Sequence, residues 1–253
     1  MTNMQQGHQH PISRMIRDIN TVFSELGFVF AEGPEMESTV YNFDLLNVPK
    51  DHPSRDMQDT FYVDQKGSDG EDMVMRTHTS PVQVRYMERF VREHKEGKVE
   101  FPVRVIVPGK VFRNEATDAT HEAQFYQLEG LMVDKGISVG HMKGTLEHFF
   151  ARLFGGSVEV RLRPSFFPFV EPGLEVDMRL TGDDAPTKLK GRWIEIMGAG
   201  MVHPSVLKNA GIDPEVYQGF AFGMGIDRLA VMRYGVDDVR LFYNGDLRVV
   251  TQF

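Results

Sequence analysis

Apolar residues recur at helical spacing between residues 11 and 26, where Ile12, Met15, Ile16, Ile19, Val22, Phe23 and Leu26 share a face. Pro11 suits the first turn of that helix and Gly27 its C-terminal cap. A second helix is predicted from Ser80, with the serine as cap, Pro81 in the first helical position and Val84, Met87, Phe90 and Val91 inward. A third runs from Ser138 to about Phe154 and buries Met142, Leu146, Phe149, Phe150 and Leu153. Strand-like segments lie at residues 103–107, 111–115, 124–133, 158–163, 174–180 and 192–197. Strands outnumber helices and do not alternate regularly with them, which predicts an α+β fold, a largely antiparallel sheet flanked by helices. Residues 32–59 carry Pro34, Pro49 and Pro53 without periodicity and read as a long ordered loop with short strands; residues 66–72 read as a hairpin tip. Residues 1–10 are polar and are expected to be a linker or disordered, leaving residues 11–253 as one domain.

Composition narrows the chemistry. With no cysteine, disulfides and thiolate metal sites are excluded. No apolar run approaches the roughly 18 residues that span a bilayer, and the polar start has no signal-peptide core, so no membrane association and a cytoplasmic location are expected. A net charge of −8 argues against holding nucleic acid by bulk electrostatics, though nucleic acid could be a substrate presented with a partner. The 15 methionines are read as core filler.

Four segments could carry chemistry. The run from Phe220 to Arg228 joins an apolar strand to a helix through Gly223 and Gly225, where a ligand can approach the backbone, and delivers Arg228 on the first helical turn. Strand periodicity places Arg113 and Glu115 on one face, and Phe125, Gln127 and Glu129 on one face of the next strand. The polar connection containing His121 would close an antiparallel hairpin and bring these faces together. Such alternation also fits a solvated polar face, but Phe125 interrupts the polar set, and a ring beside an arginine suits stacking on a purine. Pro168 holds Phe167 and Phe169 in a set relationship within what reads as an aromatic loop, against core or lining a pocket. His78 and Ser80 sit at a strand end and helix start, where free N–H groups favour polar ligands or are simply capped. No second histidine stands at helical spacing from His121 and Glu122, and no P-loop or G-x-S-x-G elbow is present.

Taken together, these residues resemble the class II aminoacyl-tRNA synthetases, and among them the catalytic α chains of bacterial-type phenylalanyl-tRNA synthetases. The resemblance covers residues 10–253. Residues 112–125 resemble motif 2 and residues 223–228 motif 3, while the first helix, Gly27 and Pro34 match motif 1 loosely. Thr77-His78-Thr79-Ser80-Pro81, Gln127-Leu128-Glu129-Gly130, Phe167-Pro168-Phe169 and Gly219-Phe220-Ala221-Phe222-Gly223 carry the narrower likeness.

What the resemblance implies is activation of L-phenylalanine with ATP, aided by Mg2+, and transfer to tRNA(Phe) in an α2β2 assembly with a β subunit that holds the editing site. Arg113 would hold the α-phosphate and the substrate carboxylate, Glu115 the adenine amino group and His121 the outer phosphates. Phe125 and Arg228 would sandwich the adenine, with Gly225 beside the nucleotide. Gln127, Glu129, His78 and Ser80 would take the α-ammonium group, Phe167 and Phe169 the phenyl ring edge to face, and Ala221 would close the far end of the pocket. Glu195 is the candidate magnesium ligand.

Two departures and three alternatives remain open on the sequence. The family's long N-terminal helical arm that touches tRNA is not recognisable before the first catalytic helix, and no anticodon-binding domain follows. The alternatives are a class II synthetase for another amino acid, against which Phe167, Phe169 and Ala221 speak; a synthetase-like binding module, against which Arg113, Phe125 and Arg228 speak; and a subunit whose activity depends on its partner.

Overall fold

A computed structural model of the chain describes residues 7–57, 59–182 and 189–253. In order, the elements are α1 (Pro11–Glu25), β1 (Val29–Phe30), β2 (Met36–Ser38), α2 (Thr39–Asn42), β3 (Tyr62–Lys66), β4 (Asp72–Met75), α3 (Ser80–Lys95), β5 (Val103–Phe112) and β6 (Gln124–Asp134). There follow α4 (Val139–Phe154), β7 (Val158–Phe167), β8 (Val170–Leu180), β9 (Ile194–Val202), α5 (Pro204–Asn209), β10 (Gln218–Gly225), α6 (Ile226–Tyr234) and α7 (Leu247–Val250). Single 3₁₀ turns stand at Asp44–Leu46, Pro53–Arg55 and Val239–Phe242.

A seven-stranded sheet in the order β1-β5-β6-β10-β9-β8-β7 is antiparallel at every pairing except β1 with β5, and β2, β4 and β3 form a small second sheet. One face of the large sheet is sealed by α1, α4 and α6, where Phe23 stacks on Phe149 at 4.7 Å and on Phe222 at 5.5 Å between centroids. Gly130 makes room for the ring of Phe222, since a Cβ there would stand 2.1 Å from that ring. The opposite face is covered only towards the β5–β6 side, by α3, α5 and the Phe43–Val48 stretch packed on Val105, Leu131 and Val133. Most of the candidate residues line the part left open.

The expected α+β architecture and the three long helices are found, with differences that have physical reasons. The two segments at 103–107 and 111–115 form one strand that runs through Pro108. β1 pairs only with Val105 and Ile106, so at Pro108 the strand is an edge and the missing N–H costs no ladder bond. That strand ends at Phe112, which leaves Arg113 and Glu115 just beyond it, although Arg113 N–H still donates to Ala123 O at 3.0 Å. Ser80 is the first residue of α3 rather than its cap; Thr79 takes the cap position without a side-chain capping bond, and the serine hydroxyl is used elsewhere. The expected aromatic loop is the end of β7 followed by a tight turn, with Phe167 opposite Val170. Within residues 32–59, α2 and the two 3₁₀ turns are too short to leave a periodic signature. Of the expected N-terminal linker, residues 1–6 lie outside the described residues, whereas His10 caps α1 and also bonds Phe242 O at 2.9 Å. No helix among the described residues is long and apolar enough to cross a membrane.

Candidate active site

Register sets the geometry of the open face. Glu129 on β6 stands opposite Gly223 on β10, which stands opposite Gly198 on β9, then Glu175 on β8 and Arg163 on β7. Paired residues in an antiparallel sheet point to the same side, so this row crosses the face opposite α1, α4 and α6. Its two central glycines leave a trough. A Cβ at Gly198 would stand 2.8 Å from Cζ of Phe167, and one at Gly223 3.2 Å from Cγ of Glu129.

A cleft of about 550 Å³ opens over this trough. His78, Ser80, Arg113, Glu115, Gln127, Glu129, Phe167, Phe169 and Ala221, all singled out from the sequence, line it. Polar groups gather beside Gln127 and Glu129. Two residues further along the strands, on the same face, Leu131 and Ala221 stand opposite one another and begin an apolar end that Phe169, Val202 and Val206 complete. Phe167 and Phe169 lie nearly parallel, with centroids 6.0 Å apart and planes at 17°.

At the polar end Glu129 is 5 % exposed and accepts from Thr79 N–H at 3.2 Å, from the Ser80 hydroxyl and from Gln83 Nε2 at 3.3 Å. Burial raises its carboxyl from the ordinary 4.5 to about 7, against the pull of those donors and of the nearby Arg76 guanidinium. Burial, then the Arg113 charge, lowers His78 to about 3, so its ring is neutral. The buried Oε1 of Gln127 and Nδ1 of His78 have no hydrogen-bond partner among the described residues. Gln127 Oε1, and His78 Nδ1 in the tautomer protonated at Nε2, are buried acceptors left free beside a carboxylate and suited to an incoming ammonium group. The Arg113 guanidinium lies 5.1 Å from the Phe125 centroid, and its Nε reaches Thr77 O at 3.5 Å.

The remaining candidates stand outside the cleft wall. Phe125 lies two residues before Gln127 on the same face of β6, under Arg113. Gly225 pairs with Gln127 and caps α6, and Arg228 is exposed one turn into that helix. Buried Asp227 beside it accepts from Tyr126 N–H at 2.8 Å and from the Tyr243 hydroxyl, tying α6 to β6 and to the C-terminal segment. His121 is exposed in the β5–β6 connection, held by Asp118 at 3.1 Å. A bulge in the β8–β9 pairing turns Glu195 onto the site face, where it meets Arg163 Nη2 at 2.9 Å. Arg163 also pairs with Glu175 at 2.9 Å and with buried Asp177 at 2.8 Å.

Several members were not read from the sequence. Gln83 follows Ser80 by three residues and shares its helix face, a spacing that could have suggested it. Leu46 and Val48 come from the unpatterned loop. Gly198 and Glu175 are visible as functional only once the register is known.

Comparison with known proteins identifies the family. The profile of the family "tRNA synthetases class II core domain (F)" matches residues 1–253. A phenylalanine–tRNA ligase alpha subunit from Dehalococcoides mccartyi is 51% identical over 251 residues, 98% of this chain and 70% of that protein. One from Bacillus subtilis is 52% identical over 250 residues, 98% of this chain and 69% of that protein. The crystal structure of pyrrolysyl-tRNA synthetase from Desulfitobacterium hafniense shares the fold, with a TM-score of 0.67 at 16% identity over 93% of this chain and 74% of that one. The chain belongs to the class II tRNA synthetase core family, among the phenylalanine–tRNA ligase alpha subunits.

Proposed function

We propose that the chain activates L-phenylalanine with ATP to phenylalanyl-adenylate and passes the acyl group to the 3′ end of tRNA(Phe), as the catalytic chain of a phenylalanine–tRNA ligase. The observation that carries this reading is the pairing of free buried acceptors, Gln127 Oε1 and His78 Nδ1, with the carboxyl of Glu129 beside an apolar end walled by Phe167 and Phe169. An ammonium group and a phenyl ring fit those two halves, and the amino-acid carboxylate then lies towards Arg113.

In the first step the amino-acid carboxylate oxygen bonds to the α-phosphorus of ATP as the bond from that phosphorus to pyrophosphate breaks. The nucleophile is already ionised at pH 7, so no general base is needed, and the work reduces to alignment and charge stabilisation. Arg113 would supply both, its guanidinium 5.1 Å from the ring of Phe125, on which the adenine would stack with Arg228 over its other side. Glu115 would take the adenine amino group and His121 the outer phosphates. In the second step the terminal ribose hydroxyl of tRNA attacks the acyl carbon and AMP leaves.

Mg2+ accompanies ATP in this reading. Among the described residues no group of three or more His, Asp or Glu could hold a metal by itself. Glu195 and Glu175, brought to one guanidinium on the site face, are hard oxygen donors of the kind that suffice when substrate phosphates complete the shell. Bound there, the ion would offset phosphate charge. A β subunit is the expected partner, in an α2β2 assembly. The pocket alone rejects tyrosine by only about a hundredfold, which leaves proofreading to that partner.

Phenylalanine-dependent exchange of pyrophosphate into ATP, measured with and without the β chain and with Arg113→Ala as control, tests this function. Exchange that needs phenylalanine and is lost in the variant supports it. No exchange even with the β chain present would sink it.

A further inference from the structure

The turn that carries Phe167 and Phe169 is held from outside the sheet. Asn47, a residue without assigned role, donates from Nδ2 to Pro168 O at 2.7 Å, and the next carbonyl, Phe169 O, accepts from His203 N–H at 2.9 Å. Successive carbonyls of one tight turn are therefore tied to two different segments. Asn47 itself ends the 3₁₀ turn Asp44–Leu46, and among the described residues it is the only non-glycine with a positive φ, +61° with ψ +23°. Glycine would take that conformation without strain; asparagine tolerates it and adds a side chain. The residues on either side, Leu46 and Val48, are buried and line the cleft, as do Phe167, Pro168 and Phe169. The 44–48 segment is anchored in turn by Asn209 Nδ2 to Leu45 O at 3.0 Å and by the Arg55 guanidinium to Val48 O. One side chain thus spans two walls of the same apolar end, one made by Leu46 and Val48 and the other by the aromatic turn.

Resting on the function proposed above, we infer that Asn47 is a positioning residue for amino-acid selection: its amide clamps the Phe167–Phe169 turn to the Leu46–Val48 wall and so fixes the width of the phenyl pocket. It touches no substrate. Without the clamp the turn keeps its strand pairing and its His203 tie but loses its hydrogen bond to the 44–48 segment, and the two walls can separate.

The test is pyrophosphate exchange by the assembled α and β chains carrying Asn47→Gly, which keeps the backbone conformation and deletes the clamp, or Asn47→Asp, which keeps the shape and loses the donor. In both, KM for phenylalanine should rise about tenfold and preference for phenylalanine over para-chlorophenylalanine should fall by a similar factor, while KM for ATP stays unchanged. Thermal midpoints distinguish a loosened pocket from a weakened fold, because glycine relieves the positive φ and should leave the midpoint near that of the parent. Unchanged phenylalanine KM and selectivity in both variants would overturn the clamp. Equal loss of phenylalanine and ATP affinity would also overturn it, in favour of general destabilisation. A parent assembly that exchanges pyrophosphate with no amino-acid dependence would instead refute the pocket's assignment to phenylalanine.

Discussion

Replacing Glu129 by glutamine should make the protein more stable and a worse enzyme. The carboxyl is buried under α3 and its proton affinity is raised from 4.5 to about 7 in the fold. Between these values the folded state binds a proton that the unfolded chain releases, so stability falls as pH rises through the window, and above about 7 the full cost is present. Two and a half pH units correspond to about 3 kcal/mol. Glutamine removes that cost but turns one donor towards Gln83 Nε2, which now donates to the carboxylate at 3.3 Å, and the conflict costs about 1 kcal/mol. The expected net gain is about 2 kcal/mol at pH 8, shrinking to nothing or reversing at pH 5.5. Urea unfolding of both proteins at the two pH values reads it directly. The variant should also lose about a hundredfold in kcat/KM for phenylalanine, the scale of one buried charge-assisted hydrogen bond, with KM for ATP unmoved. In the parent, kcat/KM for phenylalanine should decline towards tenfold per pH unit below about 7 as the free site becomes protonated. A glutamine variant less stable than the parent at pH 8, or a stability difference that ignores pH, would refute the reasoning, because the carboxylate would then not be held against its solvation.

Other substitutions probe separate parts of the site. Ala221→Gly opens the apolar end opposite Leu131 and should improve use of para-chlorophenylalanine relative to phenylalanine by about tenfold in exchange assays; unchanged discrimination would remove Ala221 from the pocket wall. Gly198→Ala forces a Cβ to 2.8 Å from the Phe167 ring and should raise KM for phenylalanine at least about tenfold, whereas a KM unchanged from the parent would mean that the ring does not rest on that glycine. Asp177→Asn keeps one acceptor but removes the charge shared by the half-exposed Arg161 and Arg163, and should cost about 1 kcal/mol at neutral pH. The hydrogen bonds from Arg163, then Arg161, hold Asp177 below the usual carboxylate range. Its stabilisation is therefore present above the ordinary carboxylate value and is lost as pH falls from that value towards the lower one of the folded state, so the variant should unfold with a flatter acid limb. An acid limb as steep as the parent's would contradict this.

Much of the architecture is legible because its elements are long enough to show a period. α1, α3 and α4 run 15 or 16 residues and bury one face each, and β6 is a single run of 11 residues. The strand extending to Phe167 was hidden by Pro164, which usually interrupts a strand and is tolerated here on the outermost strand of the sheet. Ser80 shows the limit for single residues. Its place before Pro81 fits a capping role, yet its hydroxyl serves a carboxylate 49 residues away, a partner that no local pattern identifies.

The site itself explains the balance between what could and could not be read. Residues that act through charge or an aromatic face, such as Arg113, Phe125 and Glu129, are recognisable by type and alternation on adjacent strands. The space in which they act is made by the lack of side chains, and glycines are too common for their types to mark it. Gly223 and Gly198 acquire meaning only when three pairings place them between Glu129 and Glu175 in one row. A side chain at either position would fill the trough in which, on the function proposed, the substrate backbone lies. Register is fixed on the other face, where Phe222, Met224, Met197 and Val176 pack under α1, α4 and α6. A one-residue slip would expose that apolar set and bury the acids. The helix-covered core therefore determines where the glycines fall, and the shape of the candidate cleft is a consequence of packing on the other side of the sheet.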